Sequence, residues 1–211
     1  MNKSEHWNKV YKTKKATQVS WFQEHAETSL KLIKKYVKNK DAHIIDIGAG
    51  ASTLVDDLIA ENYTNIDLLD ISEEALSATK NRNNTYSHDS KLGWHYGDVL
   101  DYQLAFQHYD IWHDRAVFHF LTDPADQQKY ILQVLHALKP GGTVIISTFG
   151  PQGPLKCSGL PIVRYDHQTL HKTFGQAFEL LEHGEDDHLT PAGAIQKFIY
   201  CCCRLQQDNN H

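Results

Sequence analysis

Short apolar runs alternate along this chain with stretches of helical periodicity, and that alternation is the strongest limit on its fold. His43-Ile44-Ile45-Asp46-Ile47 is an apolar run that ends at Gly48-Ala49-Gly50. Ser52 or Thr53 then opens a helix with Leu54, Val55, Leu58 and Ile59 facing inward. Ile66 to Asp70 reads as a second strand, Ser72 caps a helix from Glu73 to about Asn81, and residues 83 to 93 read as a polar loop. Trp94 to Tyr96 gives a brief third strand and Tyr109 to Trp112 a fourth. Asp123 and Pro124 hold the cap and first-turn positions of a helix whose buried face is Tyr130, Ile131, Val134, Leu135 and Leu138. Pro140-Gly141-Gly142 stops it, and the β-branched run Thr143 to Phe149 is a fifth strand. Phe178 to Glu182 and Gln196 to Arg204 are closing strands.

Strands separated by helices need crossover connections, so most of the sheet must be parallel and covered on both faces. The expected fold class is α/β, a three-layer αβα sandwich. A length of 211 residues suits one such domain. Within it, residues 1–40 are expected to form a helical cover, 41–149 the core, and 150–211 a lid loop and the closing strands. In the cover, Ser4 is placed to cap a helix carrying Trp7, Val10 and Tyr11, and Thr28 to cap another carrying Leu30, Ile33 and Val37.

Charge and composition exclude some functions. The formal net charge is −5, which supplies no basic footprint for nucleic acid and no polybasic signal for a membrane surface. No apolar run is long enough for a membrane span, and the first residues are polar, so a cytoplasmic protein is expected. Cys201, Cys202 and Cys203 sit in an apolar strand and read as buried thiols, and no CxxC pair occurs. The 14 histidines are scattered. His167 and His171 form the one helical i, i+4 pair, without a third ligand, so no metal site is expected.

An open parallel sheet binds its ligand beyond the carboxyl ends of its strands, and the chemistry-bearing residues fall there. After the first strand comes Asp46-Ile47-Gly48-Ala49-Gly50, where glycines let the backbone pass close beneath a ligand and the following helix offers amide donors. At the end of the second strand Asp70, followed by Ile71, can accept hydrogen bonds from both hydroxyls of a ribose. After the third strand, in Gly97-Asp98-Val99, Asp98 can accept from an adenine amino group while Val99 packs on the ring. These three groups at successive strand ends point to a nucleoside site.

The run Ile44 to Gly50 resembles the first motif of the class I, Rossmann-like S-adenosylmethionine-dependent methyltransferases. Asp70 is similar to their second-strand acid, Gly97-Asp98-Val99 to their adenine motif, and Leu138-Lys139-Pro140-Gly141-Gly142 to the turn before their fifth strand. The resemblance covers residues 40 to 150 firmly and the flanks loosely. It implies seven strands in the order 3-2-1-4-5-7-6, the last antiparallel, and S-adenosyl-L-methionine as cofactor. A nicotinamide-dependent oxidoreductase is the competitor, but its fingerprint wants a third glycine where Thr53 stands, and it leaves Asp98 without a role. A non-catalytic cofactor-binding protein is a further alternative.

Methyl transfer from a sulfonium asks the protein mainly to position the acceptor. After the fourth strand, His113-Asp114-Arg115-Ala116-Val117-Phe118-His119-Phe120 should pass under the methyl group. His113 is assigned to the cofactor; His119, as the proton-accepting group, and Asp114 are the catalytic candidates. Arg115 reads as a partner for an anionic substrate or for a carboxylate of the chain. The long segment Gly150 to Arg164, with Cys157, reads as a lid. Trp7, Tyr11, Trp21 and Phe22 form an aromatic cover, with Trp21 assigned to the cofactor. The lysine-methylating relatives carry Asp-Lys-Gly where this chain has Asp114-Arg115-Ala116, so a small-molecule thiol, hydroxyl or carboxylate is the expected acceptor and a protein lysine the alternative.

Overall fold

The computed structural model describes residues 2–83 and 91–207. Part of the loop expected over 83–93 therefore lies outside the described residues. The strands are β1 (His43–Ile47), β2 (Asn65–Asp70), β3 (Lys91–Tyr96), β4 (Tyr109–Arg115), β5 (Leu138–Phe149), the two-residue β6 (Lys156–Cys157) and β7 (Leu160–Pro161), β8 (Phe178–Leu189) and β9 (Ile195–Leu205). The helices are α1 (Lys3–Thr13), α2 (Glu27–Tyr36), α3 (Leu54–Ala60), α4 (Glu73–Asn83), α5 (Pro124–Ala137) and α6 (His167–Phe174), with single 3-10 turns at Ala16–Gln18 and Phe118–Phe120.

Seven strands form one sheet in the order β3-β2-β1-β4-β5-β9-β8, and β6 pairs with β7 in a separate hairpin. Setting that hairpin aside, the order is the one the resemblance implies. β1 to β5 are parallel, and β9 runs antiparallel to both of its neighbours. The two faces of the sheet carry separate cores. Ile45, Ile47, Trp112, Val144, Ile146, Cys201 and Cys203 pack with α5 and α6 on one side. Ile44, Ile66, Leu68, Ile111, Ile145 and Cys202 pack with α2, α3 and α4 on the other. The period of two along each strand sends alternate side chains to opposite faces. That is why three consecutive cysteines are all buried, and burial pushes each thiol above its ordinary pKa.

Several boundaries differ from expectation for identifiable reasons. Asn2, not Ser4, caps α1: its side chain accepts from the amide of Glu5, whose carboxylate accepts from the amide of Asn2. α2 begins after Ala26 without a side-chain cap; the Ala26 amide donates to Asp57 instead, and Thr28 bonds Asp186. α4 continues to Asn83 and β3 begins at Lys91. Pro140-Gly141-Gly142 is not a turn ahead of β5 but an irregularity inside it: Tyr109 pairs with Leu138, and pairing resumes at Ile111 with Thr143. Gly141, at φ +81°, turns the backbone there. The Gly150 to Arg164 segment is not structureless, because it holds the β6–β7 hairpin. The His167–His171 pair is used separately: His167 stacks on His183, and His171 meets the carbonyl of Phe178.

Candidate active site

The carboxyl ends of β1 to β5 open into one large cavity, enclosing about 940 Å³ with its open mouth included. One end is lined by Ile47, Gly48, Leu69, Asp70, Ile71, Gly97, Asp98 and Val99. The other end carries Trp7, Trp21, Phe120, Phe149 and Phe198, with Arg115 and Cys157 among them. A smaller adjoining cavity is lined by Ala49, Ser52, Asp46, His113 and Ser29, and Tyr11, Trp21, Gly48 and Arg115 border both. The sheet order explains the division: β1, β2 and β3 serve the first end, β4, β5 and β9 the second.

Asp70 is set by its surroundings rather than by a counter-charge. It is buried, the amide of Ser72 donates to Oδ1 at 2.7 Å, and the amides of Gly50 and Ile71 also face the carboxylate. Burial outweighs these donors and raises its pKa to about 7, with Asp46 adding repulsion. Gly50 itself lines neither cavity. Its φ of +47° turns its amide toward Asp70, and its carbonyl accepts from the buried Thr79 hydroxyl at 2.8 Å. The amides of Gly48 and Ala49 do not face a ligand either, because both bond the carbonyl of Leu69. Asp98 turns one oxygen to the amide of Leu100 at 3.0 Å and lines the cavity beside Val99. Asp46 and His113, adjacent in register on β1 and β4, are joined at 2.6 Å; the other ring nitrogen of His113 lies 2.9 Å from the Ser29 hydroxyl.

The aromatic cover folds over this edge. Trp7 packs edge-on against Trp21 and Phe120, and the Trp21 indole donates to the Tyr11 hydroxyl at 3.3 Å. Burial next to Asp70 raises the Tyr11 pKa. Trp7 and Tyr11 belong to the aromatic cover read from sequence, whereas Phe149 and Phe198 were not assigned to the cofactor or the chemistry. Phe149 and Phe198 meet across the β5–β9 register. An antiparallel last strand must begin at the edge where the parallel strands end, and that was the signal for Phe198.

The two catalytic candidates lie elsewhere. β4 continues to Arg115, three residues past the expected end, and the chain turns at Ala116 with φ +74°. Asp114 is fully buried and lines neither cavity. It accepts from the amides of Val117 at 2.9 Å and Phe118 at 3.1 Å and from the Tyr130 hydroxyl at 2.5 Å, so it ties the turn to α5. His119 is fully buried behind the cavity wall, stacked on Phe149 at 4.9 Å. Neither ring nitrogen has a hydrogen-bond partner. The cause is the 3-10 turn Phe118–Phe120, which sends Phe118 and His119 into the core and leaves Phe120 toward the cavity.

Burial, helped by Arg115, holds the His119 pKa at about 3. The folded protein thus binds no proton at His119 where the unfolded chain, near 6.5, does. Its contribution to stability is complete above pH 6.5 and falls as pH drops toward 3, by about 1.4 kcal/mol per unit on the steep part. H119L is expected to flatten the acid limb of the stability–pH curve by that slope. Identical limbs for the two proteins in urea titrations would refute the burial of a neutral ring.

A family model described as a methyltransferase domain matches residues 38–199. Among curated protein sequences no relative matches. Many solved structures are similar. One, a protein studied for conversion of a disulfide bond into a thioacetal group during echinomycin biosynthesis, is 15% identical with a TM-score of 0.77, over 98% of this chain and 94% of that one. A SAM-dependent methyltransferase from Anabaena variabilis is 14% identical, TM-score 0.73, over 98% and 96%. The N-methyltransferase NodS from Bradyrhizobium japonicum, in complex with S-adenosylhomocysteine, is 14% identical, TM-score 0.70, over 96% and 100%. Likeness at such identity speaks to the fold alone.

Proposed function

We propose that this chain, which belongs to the methyltransferase domain family, is an enzyme that moves a methyl group from S-adenosylmethionine to a small-molecule acceptor held in the aromatic half of its cavity. The observation that carries the reading is the division of one cavity between a nucleoside-fitting end and an aromatic end. Asp70, Ile71, Asp98 and Val99 line the first, and each matches a part of an adenosine: two hydroxyls, a sugar face, an amino group and a ring. Gly48 fits the same purpose, since a Cβ there would stand 2.0 Å from Val117 Cγ2 on the cavity wall. Asp46, His113 and Trp21 border the smaller cavity and would hold the amino-acid end of the cofactor.

When bound, the cofactor supplies an electrophilic methyl group on a charged sulfur. The chain's own residues bind, orient and exclude water. Trp7, Trp21, Phe120, Phe149 and Phe198 form an apolar wall that favours a ring or short hydrocarbon. Among the described residues no histidine lines the large cavity, its carboxylates Asp70 and Asp98 stand at the nucleoside end, and Cys157, whose thiol burial pushes up to about 11, is not a base at neutral pH. The acceptor therefore arrives with its own nucleophilic pair available, as a carboxylate, a thiolate or an uncharged amine. The Arg115 guanidinium in this half repels the ammonium of a protein lysine, which favours the small molecule.

The test is calorimetric. S-adenosylmethionine should bind the unaltered protein, with affinity rising through about pH 7 because the ribose donors need the ionised Asp70 carboxylate. D70N should bind about 10- to 150-fold more weakly at pH 8, the loss of charge-assisted hydrogen bonds, and should lose that pH dependence. A D70N protein that matches the unaltered one at pH 8 removes Asp70 from the ribose. Methyl-labelled cofactor incubated with cell extract should label the small-molecule fraction; label confined to protein would overturn the acceptor class.

A further inference from the structure

Arg115 is the last residue of β4, in register with Ser147 of β5, and it borders both cavities. Its guanidinium lies over the Phe198 ring at 4.6 Å, and Nη1 donates to the carbonyl of Trp21 at 3.2 Å. Nε and Nη2 are shielded from solvent and have no hydrogen-bond partner. Among the described residues no carboxylate oxygen lies within 4 Å of it, so the ion pair that sequence allowed is not formed. Asp186 and Asp46 attract it only from beyond ion-pair distance, so two shielded donors are left without an acceptor, which is costly, and the planar fork of a guanidinium matches a carboxylate in bidentate fashion. Burial has lowered its pKa to about 10, which leaves it charged at neutral pH. The surrounding wall of Trp7, Trp21, Phe120, Phe149 and Phe198 is apolar.

We infer that Arg115 is the anion-binding residue of the acceptor site, and that the acceptor is a small molecule with an apolar body and a carboxylate. The inference rests on the methyltransferase reading of the cavity. The rival source of a carboxylate is the amino-acid end of the cofactor, because Arg115 also borders the smaller cavity beside Asp46 and His113. The two sources are separable.

The experiment uses the full chain saturated with S-adenosylhomocysteine and follows tryptophan fluorescence, since Trp7 and Trp21 line the site. Propionate, butyrate and phenylacetate are each titrated beside their neutral amides. At least one acid should bind about tenfold or more tightly than its amide. R115M should abolish that preference, change S-adenosylhomocysteine affinity less than about threefold, and unfold at the same or a higher temperature, because it removes an unpaired charge. R115K should keep part of the preference. No acid preferred over its amide, or a preference that survives in R115M, overturns the proposal. So does R115M weakening S-adenosylhomocysteine about tenfold with the acid preference intact, which would assign the guanidinium to the cofactor. If the unaltered protein fails to bind S-adenosylhomocysteine, the functional reading falls, and the same titrations on the free protein still decide the role of Arg115.

Discussion

G48V is expected to fold into a less stable protein that binds S-adenosylmethionine more than about 100-fold more weakly than the unaltered chain, a loss near 3 kcal/mol. Two effects add. Gly48 sits at φ +64°, a region that a β-branched residue enters only with strain. Its Cβ would also stand 2.0 Å from Val117 Cγ2, so Val117 must leave its place on the cavity wall. The backbone cannot yield easily, because the Gly48 amide holds the Leu69 carbonyl at 2.7 Å and thereby fixes the approach of β2, which carries Asp70. G48A meets both effects in smaller measure and should fall between the two proteins. Titration calorimetry with thermal unfolding separates affinity from stability. Binding of G48V within about threefold of the unaltered protein would place the ligand somewhere other than over β1.

The sheet was legible because its core strands obey simple patterns. Val144, Ile145 and Ile146 are a continuous apolar run, and Ile44, Ile45 and Ile47 are one broken only by Asp46, as strands buried on both faces require. The cofactor end was legible because its acids stand at strand ends: Asp70 directly follows the apolar pair Leu68-Leu69, and Asp98 follows Gly97, the first residue after β3. β4 was cut short because its last residues, His113, Asp114 and Arg115, are polar. In the fold they are inward-facing all the same. His113 is satisfied by Asp46 and Ser29, and Asp114 by Tyr130 and two amides. Partners contributed by distant strands and helices leave no local trace in the chain, so buried polar pairs look like a surface turn. The misplaced turn carried His119 with it, from the core into an imagined site. Arg115 shows the converse. Its sequence context admitted an ion pair within the chain, and only the packing shows that, among the described residues, the carboxylates that attract it, Asp186 and Asp46, stay beyond ion-pair distance.

D114A is expected to lower stability by about 3 kcal/mol or more while leaving the cavity-lining residues chemically unchanged. Three donors lose their acceptor at once: the part-buried amide of Val117, and the buried Phe118 amide and Tyr130 hydroxyl. The loss does not stop there, because the Trp112 indole donates to Tyr130 at 2.8 Å, so a chain from β4 through α5 to the turn ends on this carboxylate. D114N keeps the shape and one acceptor oxygen, and should recover roughly half of the loss. Burial raises the Asp114 pKa to about 6, against the pull of its donors. The folded state therefore holds a proton at Asp114 between its unfolded value and about pH 6, and this group's own contribution improves as pH falls through that window. D114A should lose that component, so the gap between it and the unaltered protein widens from pH 7 to pH 5. Had Asp114 been a catalytic acid, D114N would lose turnover with little loss of stability. The structure predicts the reverse order, with stability falling first and turnover following only as Ala116, Val117 and Phe120, wall residues of this turn, lose their positions.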